Sequence, residues 1–272
     1  MTAISNTDYE GEIRSQGDKV KIRTIPTLAI NDYSSGQTLV NQRPTSNIVE
    51  LLIDQGKYWS AICDDVQEVQ ADIGLMNLWS NDASEQMKIA IDTAVLGNIA
   101  ADISSVNKGA TAGRISGNIN LGVAGTPLVV TKSNIVDTII DMGQVLDEQN
   151  IAEQGRFLVM PFWASAMLKK SDLKDASLTG DGTSVMRNGR VGMIDRFTLY
   201  TSNCLPWATE STSKAFYMYA GHKSGLTFAS QLTKTETLRA ESTFGDIMRG
   251  LQVYGYKVVN PVTLTAAYAV KG

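Results

Sequence analysis

Three stretches of this chain carry residue types that can do chemistry. The first is KGATAGRISG, residues 108–117, whose glycines could bring backbone N–H groups against a phosphate. Phosphate loops need G-x-x-x-x-G-K-[ST] or G-x-G-x-x-G, and neither spacing is present. The second is GHKSG, residues 221–225, which sets Ser224 near His222. It is not the G-x-S-x-G of a nucleophile elbow, and a turn between two strands is the expectation. The third is the pair Asp64 and Asp65. Two carboxylates can divide acid and base roles, but at the expected start of a helix they also serve its N-terminal dipole. Cys63 and Cys204 lie far apart without metal-ligand spacing, and His222 is the one histidine. A His-rich metal site is therefore excluded, and both cysteines are expected as small apolar residues. Lys169, Lys170 and Lys174 in LKKSDLK read as a solvated helix end. The four tryptophans and nine tyrosines are scattered, with no ladder for stacking bases. No constellation for catalysis emerges, so neither an enzyme nor a cofactor is expected.

Composition narrows the class further. The chain has 272 residues, 43% of them hydrophobic, and a net charge of −4. It can bury a core, and its basic residues form no stripe for a dedicated DNA binder. No run of eighteen apolar residues implies a membrane span. The start, MTAISNTDYEGE, is polar and acidic rather than a signal peptide, and a reducing cytosol is the default setting.

The elements that must position any site are unusual in length. Residues 18–25 alternate, with Lys19, Lys21 and Arg23 on one face and Val20 and Ile22 on the other, as a half-buried strand does. Pro26 ends regular pairing, and the next twenty residues are rich in turn formers. Strand character returns at 48–53 and 58–62. The unit is a long hairpin with little to bury, and a lone hairpin is marginal in water. From 64 to 105 no proline occurs, and Val66, Val69, Ile73, Met76, Trp79, Ala83, Met87, Ala90 and Ala94 recur at helical steps. Asp64, with Gln67, would cap this helix. Unbroken, it would run roughly 60 Å, so either Gly74 or Gly97 breaks it or the molecule is elongated. Residues 246–260 read as one long strand, with Ile247, Arg249, Leu251 and Val253 on one face and Met248, Gln252, Tyr254 and Tyr256 on the other. Between these lie a glycine-rich loop at 107–127 and a helix capped by Ser133 with Ile135, Ile139, Met142 and Leu146 on one face. A strand at 156–160, a helix opened by Pro161, a loop at 171–188 and strands at 191–201 and 214–220 complete an α+β lobe.

The order of NTDYEGEIRSQGDKVKIRTIPTLAINDY, LLIDQGKYWSAICDDVQEVQAD, a long helix, and AFYMYAGHKSGLTFASQLTKTETLRAESTFGDIMRGLQVYGYKVVNPVTL resembles the major capsid proteins of tailed bacteriophages. The resemblance covers residues 6–269 and rests on diffuse patterns in a specific order. It implies an α+β, plate-like subunit of the tailed-phage major-capsid fold. Carried onto this sequence, residues 1–17 are an N-terminal arm and 18–58 an extended β-hairpin loop. Residues 59–132 are a peripheral domain with a spine helix at 64–105, 133–213 an axial domain, and 214–272 strands returning to both.

The function so implied is structural: copies assemble into pentamers and hexamers of an icosahedral shell around a double-stranded DNA genome. Partners would be other copies, with portal, scaffold and decoration proteins. DNA would be enclosed without sequence-specific binding, and no membrane is involved. The shell would be assembled in the host bacterial cytoplasm and reside in the virion capsid. Leu28, Ile30, Tyr33, Leu39 and Arg43 of the extended loop are the expected subunit-interface residues. Some members of this family crosslink a loop lysine to a neighbour's asparagine. The tip here, YSSGQTLVNQR, has no lysine, so no such bond is expected. Similar proteins often carry a longer segment before the N-T-x-Y-E-G-like stretch, so a shortened or processed arm is expected. An encapsulin-like nanocompartment shell and a two-lobed small-molecule enzyme are the alternatives.

Overall fold

A computed structural model describes residues 1–8, 19–24, 26, 28–66, 74–171, 192–241 and 243–272. Alternation of side chains builds the first pair of strands. Strand β1 (Lys19–Arg23) buries Val20 and Ile22 and exposes its three basic residues. It pairs antiparallel with β2 (Ile48–Leu52), Lys19 opposite Leu52 and Arg23 opposite Ile48.

Strand β3 (Gln55–Asp64) is longer than its expected core and ends at Asp64. The expected cap by Asp64 with Gln67 involves a residue outside the described ones, as do Val69 and Ile73 of the expected stripe. Helix α1 (Leu75–Asp102) begins after Gly74, whose ψ of 84° is not helical. Gly97 lies inside it, where an added Cβ would meet open space, so of the two glycines Gly74 and not Gly97 marks a break. At 28 residues it is about 42 Å long. Its inward stripe differs from the expected one. Met76, Trp79, Ala83 and Met87 are half-buried, then Ile91, Val95, Leu96 and Ile99 are buried, while Ala90 is exposed. The stripe steps by four from Met87 to Ile91 to Val95, following the large side chains rather than the alanines. No helix among the described residues is long and apolar enough to cross a membrane.

A seven-stranded sheet organises the lobe. Its order is β4 (Leu128–Val130), β12 (Leu264–Lys271), β9 (Ser213–His222), β5 (Arg156–Met160), β7 (Phe197–Thr201), β6 (Met193–Ile194), with β8 (Trp207–Glu210) also paired to β9. Pairs β4–β12 and β5–β7 are parallel. Helices α2 (Ile135–Glu148) and α3 (Phe162–Lys170) supply the apolar residues on one face. There Ile139, Met142 and Leu146 meet Leu158, Met160, Met218 and Ala267. On the other face Phe157, Val159 and Tyr219 meet Val95, Leu96 and Ile99 of α1. Every residue of β5 is buried, as a strand covered on both sides requires.

Two expectations are corrected here. Helix α2 starts after Asn134, not Ser133. Asn134 Oδ1 accepts from Thr131 N at 2.7 Å, and the Ser133 hydroxyl is shared with that of Thr131. The expected strand at 191–201 is instead a hairpin turning at Asp195 and Arg196, with φ of 44° and 67°. Arg196 is held there by Asp147 at 2.8 Å and Glu153 at 2.9 Å. Ion pairs stabilise a turn whose residue types do not announce it. The expected loop at 171–188 lies, beyond Ser171, outside the described residues, as does Lys174.

The third sheet is long and narrow, in the order β10 (Leu226–Arg239), β11 (Gly245–Val258), β3. Fourteen residues at about 3.3 Å each carry β11 over roughly 46 Å. Tyr254 and Val258 pack with α1, and Met248 on the same face is also buried, while Arg249 and Leu251 on the opposite face are exposed. Residues 1–6 are held against this body. Ile4 is buried, and Asn6 bonds both Leu226 and Phe228 through the backbone.

Candidate functional site

Among the described residues the β1–β2 pair is anchored at its root. Val20, Ile22, Leu51 and Ile53 form a small core with Ala229, Val253 and Val259 of the long sheet. The crossing is close: a Cβ on Gly255 would sit 2.0 Å from the Leu52 carbonyl oxygen. Glycine is required there because the root strand lies directly on β11. Glu50 lies within 3.8 Å of Lys19 and 3.9 Å of Lys21, a solvated arrangement worth little energy.

Beyond the root, the chain leaves all cover. Every residue from 28 to 48 is exposed. Thr24 N donates to Asn47 O at 2.9 Å, and its hydroxyl donates to the same oxygen. Further out, Gln42 faces Ala29, and a turn at residues 34–37 closes the tip. Gln37 N donates to Ser34 O at 3.1 Å, and Gly36 takes the positive φ (85°) that a type II turn asks of its third residue.

The sequence-predicted residues all lie on this ribbon. Leu28 is 55% exposed, Ile30 93%, Tyr33 71% and Leu39 70%, and Arg43 is exposed beside them. Val40, at 78%, belongs with them and was missed. Its signal is adjacency to Leu39 in a stretch that offers no core. One exposed leucine is ordinary, but here Leu28, Ile30, Tyr33, Leu39 and Val40 all meet water along one ribbon.

The outer face of the long sheet is also open. Rows across its three strands place Tyr58 beside Leu251 and Lys234, Ser60 beside Arg249 and Glu236, and Ile62 beside Ile247 and Leu238. Glu236 bonds Lys234 at 2.8 Å and also pairs with Arg249. On the opposite face Trp59 lies across Gly250, where a Cβ would meet its indole nitrogen at 2.2 Å. At the far end Arg239 pairs with Asp65 and Asp246, and its hydrogen bond holds the Asp65 carboxyl below the usual carboxylate range.

The stretches that could have done chemistry are used structurally. His222 Nδ1 accepts from Ser224 N at 3.2 Å and lies 2.8 Å from its hydroxyl, closing a short turn between β9 and β10. In the glycine-rich loop, the N–H groups of Ile115 and Ser116 donate to Glu148 Oε2 at 2.7 and 3.1 Å. An internal carboxylate thus fills the place a phosphate would need. Those bonds, from Ile115 first, hold the Glu148 pKa down at about 2. Among the described residues no group of three or more His, Cys, Asp or Glu is placed to hold a metal ion.

Comparison with known proteins gives a consistent result. Residues 61–269 match the family model described as phage capsid protein. No curated protein matches. Among solved structures, a chain from Mycobacterium phage Che8 is similar at 25% identity and a TM-score of 0.74, covering 99% of this chain and 89% of that one. The capsid structure of the cyanophage P-SCSP1u is similar at 15% identity and a TM-score of 0.69, covering 95% and 85%. The capsid of Ralstonia phage GP4 is similar at 13% identity and a TM-score of 0.66, covering 98% and 86%. The two at lower identity speak to the fold.

Proposed function

This chain belongs to the phage capsid protein family and is a structural major capsid protein; from that premise we propose how its geometry closes a shell. Residues 18–58 act as an extended loop that lays Leu28, Ile30, Tyr33, Leu39 and Arg43 on an adjacent copy. Residues 1–17 serve as an N-terminal arm, 59–132 as a peripheral domain, 133–213 as an axial domain, and 214–272 return strands to both. Contacts of this kind are head-to-tail, and they close into rings when the rotation permits. Pentamers and hexamers are the rings an icosahedral shell requires.

The observation that carries this reading is the unbroken exposure of residues 28–48 together with their apolar content. No single contact need be strong. Each subunit meets several neighbours, so modest pairwise energies combine. The chain's net charge of −4 favours enclosing double-stranded DNA without gripping it. Portal, scaffold and decoration proteins are the further partners of such a shell, and the host bacterial cytoplasm is where it would form.

The test is direct. Purified chain examined by negative-stain microscopy across a concentration series should pass from subunits to hollow particles. Leu39→Asp should lower particle yield at least tenfold while leaving subunit melting unchanged. Wild-type particle yield from that variant would remove the loop from the assembly mechanism.

A further inference from the structure

We infer that Gln42 is the positioning residue that sets the register of the extended loop before it meets a neighbour. This rests on the loop reading above. The two plies need a tie because β1 and β2 end at Arg23 and Ile48, well short of the tip. Past Thr24 and Asn47 no strand pairing continues among the described residues. Gln42 supplies what the ladder does not. Its Oε1 accepts from Ala29 N at 3.1 Å, and its Nε2 donates to Ala29 O at 2.8 Å. A side-chain amide thereby imitates the paired N–H and C=O of an opposing strand residue. Gln37 does half as much at the tip, its Oε1 accepting from Ser34 N at 3.1 Å.

The bidentate geometry matters because it fixes one register. Ala29 is flanked by Leu28 and Ile30, which share a side in an extended ply. Gln42 is flanked by Val40, two residues away, and by Arg43. Locking Ala29 opposite Gln42 therefore fixes which apolar side chains are presented together. A loop free to slip would have to find this register during docking, and that ordering would be taken from the binding free energy. Glutamine suits the task because no charge has to be desolvated when a neighbour covers it.

The experiment compares full-length wild type with Gln42→Leu, Gln42→Glu and Leu39→Asp. In unassembled subunit, Gln42→Leu should speed exchange of the Ala29 amide about fivefold, as losing one net hydrogen bond implies. The subunit concentration at which particles appear should rise by roughly fivefold, with melting unchanged. Gln42→Glu should be impaired at pH 7, where its carboxylate faces the Ala29 carbonyl. It should recover relative to wild type at the same pH as the medium approaches about pH 4, where a protonated acid again donates and accepts. Neutralising a covered charge would also restore assembly, so the deciding reading is the unassembled subunit: protection of the Ala29 amide in Gln42→Glu should return toward wild type as the pH falls, and its absence overturns the inference even if Gln42→Leu is impaired. Normal exchange and a wild-type threshold in Gln42→Leu also overturn it. In that case Leu39→Asp separates the two claims: if it blocks assembly, only the role of Gln42 falls, and if it does not, the loop reading falls as well.

Discussion

Glu148 shows how a single side chain can decide what a loop is for. It is half-buried and spends its carboxylate on two backbone N–H groups. Its ordinary value of 4.5 falls to about 2 in the folded chain. A depressed carboxyl stabilises the fold fully above the unfolded value, and that contribution is lost as pH falls through the folded one. Glu148→Gln should therefore lower the melting temperature of the unassembled subunit at pH 7. It should also flatten the decline between about pH 4.5 and 2, and identical melting curves across that window would contradict the assignment. Arg156 is a second such residue. It is 1% exposed and bonds Asp147, Ile151 O and Ala152 O at 2.7, 2.6 and 2.9 Å. Its Nη1 has no partner among the described groups. Arg156→Ala leaves the Ile151 and Ala152 carbonyls without this donor and Asp147 paired to Arg196 alone, and should cost about 3 kcal/mol in urea unfolding.

At the scale of elements, the close approach at Gly255 makes the loop root separable from the body. Gly255→Val would drive the root strands off β11, since even a Cβ meets the Leu52 oxygen at 2.0 Å. Hydrogen exchange should then accelerate across residues 19–52 while β5 and β12 stay protected. Gly97→Ala acts oppositely: it fills open space in α1 and should stabilise the subunit by about 0.5–1 kcal/mol, read from urea midpoints. Much of this was legible beforehand. The two faces of β11 and the alternation of β1 follow from period-two patterning, and the loop declared itself by lacking anything to bury. What was not legible depended on partners distant in sequence. Glycine propensity alone could not say which of Gly74 and Gly97 would interrupt the helix. The partners that meet Arg196 in the Asp195–Arg196 turn, Asp147 and Glu153, lie more than forty positions away. The Gln42 tie spans thirteen positions, and no local pattern encodes it.

For the whole molecule, the tip sequence predicts a shell held without covalent links. Residues 33–43 contain no lysine. Intact particles boiled in detergent should run as one band at 29.4 kDa, and a ladder of subunit multiples would count against this. A second consequence lies in the threading of the seven-stranded sheet. Strand β12 sits between β4 and β9, and all but its last residue is buried. The sheet cannot close until residue 271 has left the ribosome, whereas the loop emerges first, more than two hundred residues earlier. At typical synthesis rates of about 5–20 residues per second the loop waits at least ten seconds before its own body is finished. If the loop grips a neighbour as proposed, each nascent chain presents it at least about ten seconds before its own sheet can close to receive one.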